Sequence, residues 1–129
     1  MSPFWDKIPT HWEKWPVKTV FVLETARKTI RSWPSEVKKE LGAVLLRLQQ
    51  GETIGMPDVR PMPSVGRGVS EIRIQDSSGA YRTFYAIESQ QGIIVFHSFK
   101  KKTQKTPLKE ILTAKARLAE FTKQIGNET

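Results

Sequence analysis

The chain has 129 residues, enough for one domain with one modest core. Its 38% apolar and 26% charged content is ordinary for a globular protein, and the absence of cysteine excludes a disulfide framework or a thiolate metal site. Lys and Arg outnumber Asp and Glu by 21 to 13, and the net charge of +8 favours an anionic partner: nucleic acid, an acidic protein or an anionic membrane surface.

No apolar run approaches the ~18 residues that span a bilayer, and residues 1–30 hold no apolar signal-peptide core. A cytoplasmic protein without a membrane partner is expected.

Residues 1–16, "MSPFWDKIPTHWEKWP", carry three of the four tryptophans together with three prolines. The prolines oppose a long helix and the tryptophans oppose free disorder, so this is read as an aromatic extension packing its rings on a domain that runs from 17 to 129. "KTVFVLE" then reads as a short β-strand, and "TARKTIRSW" as a short helix ended by Pro34. "SEVKKELGAVLLRLQQG" is the clearest helix: Val37, Leu41, Val44, Leu45 and Leu48 form one apolar stripe, and Gly51 supplies the stop.

The Gly- and Pro-rich segment 51–68 is read as a loop with at most one short extended piece. Within it, Gly66-Arg67-Gly68 is a turn before a strand rather than a phosphate loop. Three strands follow: Val69–Ile74, Tyr81–Ile87 and Ile93–Phe99, joined by the turns "DSSG" and "SQQG". Turns this short imply an antiparallel meander. A last helix starts at Thr106-Pro107 and presents Leu108, Ile111, Ala114, Leu118, Phe121 and Ile125 on one face. The expected fold is α+β: an antiparallel sheet with a helical hairpin and a C-terminal helix packed on one face, the other face left to water or a partner.

Side chains alternate along a strand, so Ile72 and Ile74 point one way and Glu71 and Arg73 the other. In the next strand Arg82, Phe84 and Ala86 oppose Tyr81, Thr83, Tyr85 and Ile87, and neither face is purely apolar, which leaves the direction of Arg82 open. Ile93–Phe99 is apolar on both faces, as a central strand would be, and runs into Lys100, Lys101, Lys102 and Lys105. Two strand arginines and this lysine cluster would suit a phosphodiester backbone, since guanidinium groups grip phosphate in pairs of hydrogen bonds and lysines add point charge. The competing reading pairs the arginines with Glu71 or Glu88 and leaves the lysines in solvent. His97 sits in an apolar strand and reads as a core imidazole before an acid–base group. The sequence holds no metal-ligand spacing, catalytic triad or nucleotide fingerprint.

Taken in order, Ile72-Arg73, Gly79-Ala80-Tyr81-Arg82-Thr83-Phe84-Tyr85, His97-Ser98-Phe99-Lys100-Lys101-Lys102-Thr103 and Thr106-Pro107 resemble the phage-derived, HigB-like branch of the RelE/ParE toxin superfamily. The resemblance implies a small RelE-like fold. It implies the toxin of a type II toxin–antitoxin pair, neutralised by a HigA-like helix-turn-helix antitoxin and cutting mRNA on the ribosome without a metal or cofactor. By the same resemblance Arg73, Arg82 and Lys102, with Lys101 as its alternate, take the catalytic basic positions. Lys100, Lys101 and Lys105 would contact RNA. Where the RelE branch has a further lysine this chain has Glu71, and no tyrosine follows Tyr85, so Glu71, Tyr85 and His97 are the candidates for acid–base work. Two other readings stand beside it: a ParE-like gyrase inhibitor that cuts no RNA, and a non-catalytic basic module binding RNA or protein.

Overall fold

A computed structural model describes residues 18–88, 92–101 and 105–128. The aromatic segment 1–16 and Lys102 lie outside the described residues. In chain order the elements are β1 (Val20–Val22), α1 (Glu24–Arg31), α2 (Ser35–Gln49), β2 (Val59–Pro61), β3 (Val69–Asp76), β4 (Gly79–Glu88), β5 (Gly92–Lys101) and α3 (Leu108–Glu128). The five strands form one sheet in the order β1-β5-β4-β3-β2.

The α+β class and the order of elements agree with the sequence reading, and two particulars differ. First, the sheet is mixed, because β1 pairs parallel to β5, with Val20 opposite Ile93 and Val22 opposite Val95. This pairing depends on Gly92: at φ 89° it adopts a conformation L side chains avoid, and a Cβ there would collide with the Thr19 carbonyl oxygen.

Second, helices cover both faces of the sheet. One core forms beneath α1 and α2, where Val37, Leu41, Val44 and Leu48 meet Ile72, Ile74, Tyr81, Tyr85, Ile93 and Val95. On the other face Ala114, Ile111, Leu118 and Phe121 of α3 pack on Val69, Phe84, Ala86, Ile94 and Phe96. The physical reason lies in β4 and β5, whose two faces are both apolar, so leaving one to water would expose Phe84, Ile94 and Phe96, each fully buried.

A β-bulge in β5 changes which of its side chains share a face. Phe84 pairs with His97 while Tyr85 pairs with Val95, so Phe96 is the extra residue. Strict alternation would put His97, Phe99 and Lys101 on the α1/α2 side with Ile93 and Val95. The bulge reverses the parity and turns them to the α3 side. Phe84 accordingly sits among Phe96, His97 and Phe99, with ring centroids 6.4, 5.8 and 5.6 Å away.

Candidate phosphate-binding site

The turn between Asp76 and Gly79 fixes the β3–β4 register, in which Arg73 stands directly opposite Arg82 and Glu71 opposite Phe84. On the other side of β3, Arg60 of β2 is opposite Glu71. The register therefore brings Arg60, Glu71, Arg73 and Arg82 to the α3 face, and the β5 bulge adds Lys101. α3 covers only part of that face, and the basic side chains fill the rest.

Glu71 is fully buried at the centre of the group. Its Oε1 lies 3.7 Å from the Nε of Arg73 and 3.7 Å from the Nε of Arg82. Its Oε2 accepts a hydrogen bond from the Thr106 hydroxyl at 2.9 Å. Glu71 Oε1 and the two arginine Nε atoms are buried without a hydrogen-bond partner. Arg82 is almost completely buried and donates from Nη1 to the Tyr81 carbonyl at 3.0 Å, whereas the Arg73 side chain is 21% exposed. Both arginines border a cleft of about 290 Å³ with Glu40, Pro57, Asp58 and Gln75.

Burial lowers the pKa of the Arg82 guanidinium, Glu71 opposes that shift and Arg73 adds to it. Lys101 is also buried, and its pKa is lowered first by burial and then by Arg82, with Glu71 opposing. In this cluster Arg60, Arg73, Arg82 and Lys101 outnumber Glu71 and the cleft carboxylates Glu40 and Asp58, and Arg73 is partly open to solvent, which suits it to receive an anion with several oxygen acceptors.

The other sequence-predicted residues divide. Lys100 points to the opposite face and lies over the Tyr81 ring, 5.5 Å from its centroid. Lys105 is exposed just before Thr106. Tyr85 is buried in the α1/α2 core, where burial raises its pKa against a hydrogen bond with Ser70, and the sheet separates it from the arginines.

His97 shares the arginine face but is held by α3. Arg117 Nη1 lies 2.6 Å from its Nδ1, and Glu110 Oε1 lies 3.1 Å from its Nε2. A guanidinium can only donate, so Nδ1 is the acceptor and Nε2 carries the proton toward Glu110. Burial and Arg117 lower the His97 pKa, and Glu110 opposes them. His97 is thus a neutral anchor for α3, in line with the core reading.

Sequence reasoning missed Arg60, the Thr106 hydroxyl, and Glu110 with Arg117. The last pair had a signal, since two residues seven apart share one helix face. The Arg60 and Thr106 contacts join segments distant in sequence and had none.

Among the described residues no group of three or more His, Cys, Asp or Glu could hold a metal ion, and no helix is long and apolar enough to cross a membrane.

Residues 28–119 match the family of phage-derived Gp49-like proteins. No curated protein matches. Among solved structures, an arginine-to-alanine double mutant of the E. coli toxin RelE in the free state is similar at 19% identity and a TM-score of 0.48, covering 78% of this chain and 95% of that one.

Proposed function

Since the chain belongs to the phage-derived Gp49-like family, a family of RelE/HigB-type toxins, we propose that it is the endoribonuclease of a toxin–antitoxin pair, cutting mRNA on the ribosome and restrained by a HigA-like antitoxin. The observation that carries this reading is the cross-strand pair Arg73 and Arg82, with Lys101 on the same face.

The chemistry needs little from the protein. The RNA 2′-oxygen attacks the adjacent phosphorus, the bond to the 5′-oxygen breaks, and a 2′,3′-cyclic phosphate and a 5′-hydroxyl result. One proton passes from the 2′-hydroxyl to solvent water and one reaches the departing oxygen. Arg73 and Arg82 stabilise the extra charge on the phosphorane oxygens, which preorganised donors do best where water is excluded. Lys101, made more acidic by burial and by Arg82, is the described lysine suited to protonate the leaving oxygen, and Lys102 is its alternate. No metal enters this scheme. The ribosome would supply the in-line geometry, a contribution of ~7 kcal/mol or more to the barrier.

Primer extension on cellular mRNA after induction tests the reading. Codon-phased cuts that vanish when translation is blocked support it. DNA damage without cuts would instead favour a ParE-like gyrase inhibitor, and neither effect would favour a non-catalytic RNA- or protein-binding module.

A further inference from the structure

A carboxylate at the centre of a phosphate site is an apparent contradiction, because it repels the ligand. Three observations resolve it. Glu71 is fully buried and, unlike Arg73 and Arg82, does not line the cleft, so it meets no substrate in this conformation. It stands equidistant, at 3.7 Å, from the Nε atoms of two arginines that the strand register sets directly opposite each other. Like charges in that position repel and would splay apart. Its second oxygen is fixed by the hydroxyl of Thr106, itself buried, which immediately precedes the proline that leads into α3.

We propose that Glu71 is a positioning residue, an internal counter-ion that holds Arg73 and Arg82 side by side for a phosphodiester and ties that pair to the start of α3 through Thr106. The inference rests on the phosphate-binding reading of the two arginines. At 3.7 Å the carboxylate is beyond the 2.7–2.9 Å of a charge-assisted hydrogen bond, so it restrains the arginines by Coulomb attraction without consuming their donors. Four cations, Arg60, Arg73, Arg82 and Lys101, stand against Glu71 and the two carboxylates that border the cleft, Glu40 and Asp58, so the face keeps a net positive charge and still attracts an anion.

Glu71→Gln separates this role from its competitors, because it keeps the side-chain shape and an oxygen for Thr106 but removes the charge. Three quantities are measured: the NMR signals of the Arg73 and Arg82 Nε–H groups, affinity for a 2′-O-methyl RNA that cannot be cleaved, and single-turnover cleavage on programmed ribosomes. The expected variant folds, binds the RNA at least as tightly because the face loses a negative charge, shows shifted and broadened Nε–H signals, and cuts ~10-fold or more slowly. Thr106→Val moves the same signals less.

Unchanged Nε–H signals would overturn the proposal. So would faster cleavage, which would make Glu71 a competitor of the phosphate, or parallel loss of binding and cleavage with a lower melting temperature, which would make it purely structural. If Glu71→Gln fails to fold, Thr106→Val decides by the same signals. If the wild-type protein cuts no RNA, the nuclease reading fails while the arginine signals still test Glu71.

Discussion

Arg73 and Arg82 face each other across two antiparallel strands, and the Glu71 carboxylate lies 3.7 Å from the Nε of each. The arrangement merges two readings that the sequence left as rivals. The arginines are ion-paired with Glu71, and they still present a cationic pair at a cleft.

Arg82 gives the sharpest test. Lysine at this position keeps the charge and loses the planar fork, while alanine loses both. Both variants are expected to lower cleavage of programmed ribosomes ~10²-fold or more. Arg82→Ala also leaves part of the buried Glu71 charge uncompensated and should lower stability by about 1–3 kcal/mol, read by thermal melting followed by circular dichroism. Arg73→Ala, at a more exposed position, should match it in cleavage and cost less in stability. Near wild-type cutting by a folded Arg82→Ala would show that the arginine is structural.

Lys100 and Lys101 are adjacent in sequence and lie on opposite faces of the sheet. Lys101→Met keeps the aliphatic stem and removes the ammonium from the arginine face, so cleavage should fall sharply. Lys100→Ala and Lys105→Ala should alter only the salt dependence of RNA binding, by about one phosphate contact each. Equal effects of Lys100→Ala and Lys101→Met on the single-turnover rate would contradict this division.

Tyr85 lies across the sheet from the cluster. Tyr85→Phe removes the hydrogen bond with Ser70, at a cost of about 1 kcal/mol in thermal unfolding, and should leave the cleavage rate unchanged. A large rate loss without a stability change would return the phenol to the site.

His97 predicts a pH dependence of stability. Burial and Arg117 lower its folded pKa below the ordinary 6.5, so the unfolded chain binds the proton more readily than the folded one. Its contribution is therefore fully present above about pH 6.5 and is lost as pH falls from there through the folded pKa. Protonation would also give Nδ1 a hydrogen facing the Arg117 donor, which disfavours it, while the Glu110 carboxylate on the other side favours the protonated ring and keeps the shift smaller. The melting temperature should drop between pH 7.5 and 5.5, and the drop should shrink in His97→Gln. An equal drop in that variant would assign the effect to other groups.

Local patterns determined much of this protein. The stripe Val37, Leu41, Val44 and Leu48 made α2 legible, because a helix that buries one side must repeat its apolar residues at that interval. The short turn at Asp76–Gly79 made the β3–β4 pairing legible. The same hairpin register sets Arg73 opposite Arg82, a pairing the sequence reading did not draw because it left the direction of Arg82 open. Alternation grouped Glu71 with Arg73.

Tertiary structure decided the rest. Whether Arg82 faced a core or a site could not be read from a strand apolar on both sides; α3 settled it by covering Phe84 and Ala86 while leaving the Arg82 end of that face beyond its packing contacts. The bulge at Phe96 decided that His97 and Lys101 join the arginine face, and a one-residue parity change has no composition of its own. The partner of Glu71 came from Thr106, 35 residues away, brought near only when α3 docks. Alternation and periodicity are properties of neighbouring residues and survive in the sequence. Which face is covered, and what reaches a buried charge from afar, are set by the packing of distant segments, and only the folded chain holds that information.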